Sequence, residues 1–144
     1  MFDFTKTVTD LFEAQTLKQL GFPQGDGGFY YIIPDGKTYC LIYEEKYKPA
    51  WNDTKAATCG ELLEFLPAEI ETKGRIYRLG ICKEVVEGGS CPYEYFLWYD
   101  AVDKDGSKVT LWEWFDTSFV NLLARVLIWL RKHGYVDFNW RGKC

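Results

Sequence analysis

This chain of 144 residues has almost no histidine, the side chain most often used as a general base and a frequent metal ligand. Its single histidine, His133, ends an apolar-striped segment, where the negative end of a helix favours a protonated imidazole. A nucleophilic triad of Cys144, His133 and Asp137 would place its thiol on the last residue, and chain ends rarely hold a nucleophile in register. The five cysteines contain neither a CxxC pair nor a zinc-like spacing. We therefore assign no catalytic residue and expect no metal and no cofactor.

A basic excess and long apolar runs are also missing. The formal charge of -4 gives no attraction to a phosphate backbone, so we expect no binding to free nucleic acid. No segment approaches the roughly 20 apolar residues of a membrane span, and the first ten residues lack a basic stretch followed by an apolar run. We therefore expect a cytosolic protein without a membrane partner. In that compartment Cys40 and Cys82, which lie in apolar runs, are predicted to be reduced and buried.

Three amphipathic helices are predicted from apolar spacing. Thr58 stands three residues before Glu61, which is the spacing of a capping box at a helix start. The third helix is the most regular, and Asp116 or Thr117 is its predicted cap. The helices cover about residues 8–20, a short stretch between Thr58 and Pro67, and Ser118 to His133.

Strand-like runs with turn residues between them predict hairpins. These runs are 28–33, 38–44, 75–84, 93–102 and 108–115, with a further short one suggested at 70–72. Short turns of this kind build antiparallel sheets with helices on one face. The sequence therefore predicts an α+β two-layer sandwich with a mainly antiparallel sheet of about five strands, three helices and the order α-β-β-α-β-β-β-α. Residues 1–144 are expected to form one compact domain, with a mobile tail from about residue 137.

Aromatic residues make up 18% of the chain, about twice the usual share. If helices cover one face of the sheet only, the other face presents residue types that dominate interface energies. If loops or packing within the sheet cover these rings, they belong to the core instead. The predicted interaction residues are Tyr95, Trp98, Trp112 and Trp114.

An alternative hypothesis is a small enzyme or ligand-binding domain. Its pocket would lie between the sheet and the 46–57 loop and would use Trp51, Asp53 and nearby tyrosines. Such a pocket needs converging polar groups, and convergence is a property of the fold. A platform for single-stranded nucleic acid would use the same aromatics but lacks an obvious basic groove.

Three strings, with a Tyr-rich strand after the first of them, carry a resemblance to known proteins: LKQLGFPQ at 17–24, AATCGELLEFLPAEI at 56–70 and FDTSFVNLLARVLIWLRKHGYV at 115–136. In these strings the chain resembles a broad group of small uncharacterised proteins encoded by bacteriophages and prophages, especially of gut bacteria. It departs from them at Cys59 and Gly60, where bulkier residues are expected. The resemblance implies an intracellular viral or prophage product and supplies no catalytic or ligand residues. The leading hypothesis is a non-enzymatic module that self-associates or binds a host or viral protein.

Overall fold

The computed structural model describes residues 7–88 and 93–139. The helices are α1 (Leu11–Gln19), α2 (Cys59–Leu63) and α3 (Phe119–Lys132). The strands are β1 (Gly28–Ile32), β2 (Cys40–Glu44), β3 (Thr54–Lys55), β4 (Glu69–Thr72), β5 (Arg75–Val85), β6 (Tyr93–Val102) and β7 (Lys108–Asp116). They form a three-stranded sheet in the order β2-β1-β3 and a four-stranded sheet in the order β4-β5-β6-β7, both antiparallel.

The predicted α+β class is confirmed, and the three helices lie where the sequence predicts them. The prediction of about five strands was too low, because one strand is added on each side of α2. The two-residue strand β3 lies where residues 53–57 are all buried, so no alternation of polar and apolar residues reveals it. The suggested short run at 70–72 forms part of β4, which pairs with β5.

Tyr30 lies at the centre of the three-stranded sheet. It is fully buried in the central strand, opposite Ile42 on one side and Lys55 on the other. Its hydroxyl donates to the carbonyl of Gln24 at 2.7 Å and also lies against the carbonyl of Gly25. The Gln24 side chain accepts a bond from the Lys55 backbone N–H at 2.7 Å. The glycine-rich loop is therefore tied to the sheet by partly buried hydrogen bonds.

The predicted capping box opens α2. The Thr58 hydroxyl accepts from the Glu61 N–H at 3.3 Å, and the Glu61 carboxylate accepts from the Thr58 N–H at 3.1 Å. The second oxygen of Glu61 lies 3.1 Å from Nζ of Lys55, whose side chain is buried. This ion pair joins the three-stranded sheet to α2.

The cap of α3 is Ser118, whose hydroxyl accepts from the Asn121 N–H at 3.3 Å, so the predicted Asp116 or Thr117 cap was wrong by one or two positions. Asp116 instead accepts from the Ser118 N–H at 2.9 Å and pairs with Arg125 at 3.0 Å. The carboxylate thus fixes the turn that leads into the helix.

Helix α3 is the centre of the core, with buried side chains around most of its circumference. They are Val120, Leu122, Leu123, Ala124, Val126, Leu127 and Leu130. The helix contacts β6 and β7 as well as α1 and α2, and α1 contacts β3. The helices therefore connect the two sheets, and one face of the four-stranded sheet packs against α3.

The chain remains packed close to its end. The buried ring of Phe138 meets those of Phe22 and Phe65 edge-on, at centroid distances of 5.3 and 5.6 Å. This packing lies beyond the residue, about 137, from which the sequence predicts a tail, and residues 140–144 lie outside the described residues. None of the described helices has the length and apolarity needed to cross a bilayer.

We expect Leu123→Ala and Leu127→Ala each to lower the free energy of unfolding by about 2 to 5 kcal/mol, because both side chains are fully buried in α3. Urea denaturation followed by circular dichroism measures the loss. The exposed Lys132 of the same helix is the control, and Lys132→Ala should change stability by no more than about 0.5 kcal/mol. Equal stability of the leucine and lysine variants would contradict the placement of α3.

The protein should lose stability at high pH because of two buried phenols. Burial raises the pKa of Tyr30 to about 12 and also raises the pKa of Tyr99, whose hydroxyl donates to the Pro67 carbonyl at 2.7 Å. A phenol in the unfolded chain ionises near about pH 10, so the folded state holds these protons more tightly. Their contribution is therefore complete below about pH 10 and falls as the pH rises through about 12.

Urea titrations at several alkaline pH values test this dependence. The decline should be shallower in Tyr30→Phe than in the parent chain. Tyr43→Phe removes an exposed phenol and should leave the decline as it is in the parent. A Tyr30→Phe variant with the parent's pH profile would show that burial of this phenol does not act on stability.

Candidate functional site

The four-stranded sheet has one face turned away from the helices, which we call the open face. Side chains alternate along a strand, and the registers place the even-numbered residues of β5 and β6 on this side. Its members are Glu69 and Glu71 of β4, Ile76, Arg78, Gly80, Cys82 and Glu84 of β5, Glu94, Phe96, Trp98, Asp100 and Val102 of β6, and Lys108, Thr110, Glu113 and Phe115 of β7. Several large apolar side chains are exposed here, and Phe115 is 60% exposed.

Trp98 lies at the centre of the open face because its neighbour across the strand is Gly80. A Cβ atom at position 80 would overlap Cε2, Nε1 and Cζ2 of the Trp98 indole, so the ring occupies the space of the missing side chain. An isolated glycine inside a strand marks such a close approach. The indole is half-buried and held against the sheet, and the rings of Phe96 and Phe115 lie next along β6 and β7, 6.0 Å apart.

A shallow depression of about 310 Å³ lies beside these rings. Phe96 and Trp98 form part of its lining, and the remaining lining is polar. The charged groups of this lining are those of Glu84, Asp100, Lys108 and Glu113. The depression therefore combines an aromatic surface with three carboxylates and one ammonium group.

Asp100 is the least satisfied polar group of this depression. Its Oδ2 lies 3.0 Å from Nζ of Lys108, whereas its Oδ1 is buried and has no hydrogen-bond partner among the described residues. A β-bulge lies between Tyr99 and Asp100, since Tyr99 pairs with Trp112 while Asp100 pairs with Thr110. Bulges often re-aim a side chain next to a functional site. A buried acceptor without a donor costs about 1 to 3 kcal/mol, so it marks a place where a donor would be stabilised.

The open face is strongly acidic. Its acidic members are Glu69, Glu71, Glu84, Glu94, Asp100 and Glu113, and its basic members are Arg78 and Lys108. Arg78 pairs with Glu69 at 3.4 Å and Lys108 pairs with Asp100. Among the described residues, the other four carboxylates have no ion pair. The face therefore carries unpaired negative charge around its aromatic centre.

The cysteines differ from their predicted burial. Cys40 is exposed at the first position of β2, and Cys82 is partly exposed because the alternation of β5 turns it to the open face. Removal from water raises the pKa of the Cys82 thiol, and the Glu84 carboxylate, which accepts a weak bond from it at 3.8 Å, raises it further. The thiol is therefore protonated at neutral pH and is a poor nucleophile.

The four predicted interaction residues do not form one surface. Trp98 alone lies on the open face, whereas Tyr95, Trp112 and Trp114 turn toward α3 because the register places them on the opposite side. The Tyr95 ring packs on Phe119 at 5.2 Å, and Trp114 is buried in the core cluster.

Trp112 stacks on Trp129 of α3 at 5.9 Å and is half-exposed at the edge of the sheet. This contact makes it part of a larger aromatic stack, since the Trp129 ring also stacks on His133 at 4.0 Å. Nδ1 of His133 lies 2.8 Å from the Trp129 carbonyl oxygen. The imidazole is thus part of the helix end, and Cys144 lies outside the described residues.

At the alternative pocket, the polar groups around Trp51 and Asp53 are engaged in hydrogen bonds that hold the 46–57 loop. The Trp51 side chain is 89% exposed. The buried Asp53 carboxylate accepts from the Tyr47 hydroxyl at 2.6 Å and from the Ala50 N–H at 2.7 Å. Both donors belong to the same loop, so these hydrogen bonds stabilise the loop itself. Lys18 fixes the same loop by donating to the Trp51 carbonyl at 2.6 Å. In the described part of the chain, no group of three or more His, Cys, Asp or Glu side chains could hold a metal ion.

Phe96, Asp100, Glu113 and Phe115 were missed as site residues when the sequence was considered alone. The sequence feature that could have pointed to them is Gly80. An isolated glycine in a strand pattern indicates a bulge or the close approach of another group to the strand. That signal does not name its partner, because the pairing of β5 with β6 has to be known first. Comparison of the chain with protein-family models, curated proteins and solved structures gives no match.

Gly80→Ala should displace the Trp98 indole, because the added Cβ would overlap the ring. Fluorine NMR of protein labelled with 5-fluorotryptophan follows this, with the Trp98 signal assigned by its absence in Trp98→Phe. Gly60→Ala is the matched control, since an added Cβ there meets nothing closer than the Thr58 hydroxyl at 3.9 Å. The Trp98 signal should shift in the first variant and not in the second. An unshifted signal in Gly80→Ala would show that the ring does not lie over Gly80.

Proposed function

We propose that this chain is a non-enzymatic protein-interaction module of a phage or prophage and that it binds a host or viral protein through the open face. The observation that carries the proposal is an aromatic strip on the side of the sheet opposite the helices, in which Phe115 is exposed and Phe96 and Trp98 are half-buried. Aromatic side chains at an exposed patch are the residues that contribute most to protein interfaces.

The chemistry of the open face favours binding over catalysis. Its nucleophile, the Cys82 thiol, is kept protonated by its surroundings, and its depression contains no imidazole. The aromatic centre is held rigidly, because the Trp98 indole lies over Gly80 within paired strands. A rigid aromatic anchor needs little ordering on binding, and this reduces the entropic cost of forming an interface.

The distribution of charge favours a different protein over a second copy. In a twofold dimer the same patch meets itself, so the unpaired carboxylates of one open face would lie against those of the other. Glu84 and Glu94 already face each other across the strands, and like charges placed opposite one another are destabilising. Self-association through this face is therefore disfavoured.

The proposed origin and location rest on the resemblance of the 17–24, 56–70 and 115–136 strings to phage and prophage proteins. A product of this kind would act in the cytosol of the bacterial host. In the fold these strings include the end of α1, the capped helix α2 and the core helix α3. They describe the scaffold, and the open face on β5, β6 and β7 lies almost entirely outside them.

Site-specific photocrosslinking tests the proposed function. A photoreactive benzoylphenylalanine placed at Phe115 should give a discrete crosslinked product in extracts of the infected bacterial host, because the open face contacts its partner. The matched control is the same residue at Phe12, which is 75% exposed on α1. We expect no such product from position 12.

Competition makes the result specific to this face. Unlabelled parent protein should remove the crosslink at 115, whereas Trp98→Ala protein should compete at least about fivefold less well, since loss of a central aromatic anchor typically costs over about 1 kcal/mol. Absence of a product from position 115, or equal products from positions 12 and 115, would contradict a protein-binding role of the open face.

A further inference from the structure

We propose that the open face binds an arginine side chain of the partner protein, with its guanidinium on the Trp98 indole and hydrogen-bonded to the Asp100 carboxylate. The inference rests on the proposed function and names the chemistry of the partner. Three independent features meet in the depression of about 310 Å³: an aromatic ring, an acceptor without a donor, and a surplus of carboxylates.

The surplus of carboxylates means that the group bound in the depression should carry a positive charge. Glu84 and Glu113 line the depression and have no ion pair among the described residues. Glu94 adds a further unpaired carboxylate at the side of Glu84. Charges arranged in this way attract a cationic segment and repel an acidic one, which provides selectivity as well as attraction.

The Asp100 carboxylate sets the position of the cation. Its Oδ2 is occupied by the Lys108 ammonium group at 3.0 Å, while Oδ1 is buried and lacks a donor within residues 7–88 and 93–139. The Lys108 side chain is 67% exposed and comes from the last strand, so it can swing into solvent without disturbing the core. Its departure would leave both carboxylate oxygens without a donor among the described residues, and a forked donor would satisfy both. In the free protein, the Lys108 ammonium group therefore occupies the position that the partner's cation would take.

The indole of Trp98 favours arginine over lysine at this place. Tryptophan is the strongest cation–π ring, and the guanidinium is planar and weakly hydrated. Its donors can meet both oxygens of one carboxylate, which a single ammonium group cannot do with the same geometry. The chain uses a related contact on its other face, where Nζ of Lys83 lies 4.2 Å from the centre of the Tyr93 ring.

Binding of fluorescein-labelled hepta-arginine, measured by fluorescence anisotropy, tests the inference. Hepta-lysine and hepta-glutamate peptides are the comparison probes, all at about 0.15 M salt to screen long-range attraction. Hepta-arginine should bind saturably and about tenfold more tightly than hepta-lysine, and hepta-glutamate should not bind. In fluorotryptophan-labelled protein, the Trp98 signal should shift with hepta-arginine. An unshifted Trp98 signal, or equal affinity for the arginine and lysine peptides, would overturn the inference.

Three variants separate the roles of the residues. Trp98→Ala and the isosteric Asp100→Asn should each weaken hepta-arginine binding about tenfold, with circular dichroism confirming that α3 is retained. Lys108→Ala should instead strengthen it, because the occupied oxygen becomes free. Lys132→Ala removes the same charge from the end of α3 and should leave affinity within about twofold of the parent, since α3 packs on the other face of the sheet and the exposed charge is screened. Equal gains from Lys108→Ala and Lys132→Ala would contradict the place-holding role.

The outcome is separable from that of the proposed function. A crosslink from position 115 without selective arginine binding would overturn the inference and leave the proposed function standing. A dimer formed through the open face, detected by analytical ultracentrifugation and abolished by Trp98→Ala, would replace both the arginine and the separate partner. Failure of the crosslink and of the peptide together would remove both proposals.

Discussion

The structure depends on the packing of α3 against one face of the four-stranded sheet. Because α3 is apolar around most of its circumference, it must pack against neighbours on several sides. On one of these sides the neighbours are β6 and β7, which contribute Leu97, Tyr99 and Trp114 to the core. Alternation along the strands then leaves every second side chain on the other side of the sheet. The open face is thus a direct consequence of the core, and its composition is free to serve another purpose.

Much of the scaffold could be predicted because its signals are local. The capping box is recognised from the three-residue spacing of Thr58 and Glu61, and α3 is recognised from apolar residues that recur with the helical period. The strand β3 could not be predicted in this way, since its two residues pair with β1 only after the 46–53 loop has folded back. That loop is closed by Asp53, whose donors Tyr47 and Ala50 are recognisable only once the loop is formed.

The candidate site could be predicted only in part, for a reason that lies in register. Trp98 and Trp114 are both aromatic strand residues, and periodicity says which neighbours share a side with each of them but not which side faces a helix. The bulge at Asp100 makes the assignment harder still, because it shifts the pairing of β7 by one residue. The negative charge of the open face has the same origin, since its carboxylates are scattered along four strands and gather only in the sheet.

The contact between Gly80 and Trp98 also bears on how this protein can vary in nature. An indole in the space of an absent side chain makes two distant positions of the chain into one steric unit, with the volume of one limiting that of the other. A homologue with a larger residue at position 80 would need a smaller side chain than tryptophan at position 98. A homologue with a small residue at position 98 would no longer require glycine at position 80. The two sites should therefore covary among descendants of a common ancestor, even where everything around them drifts.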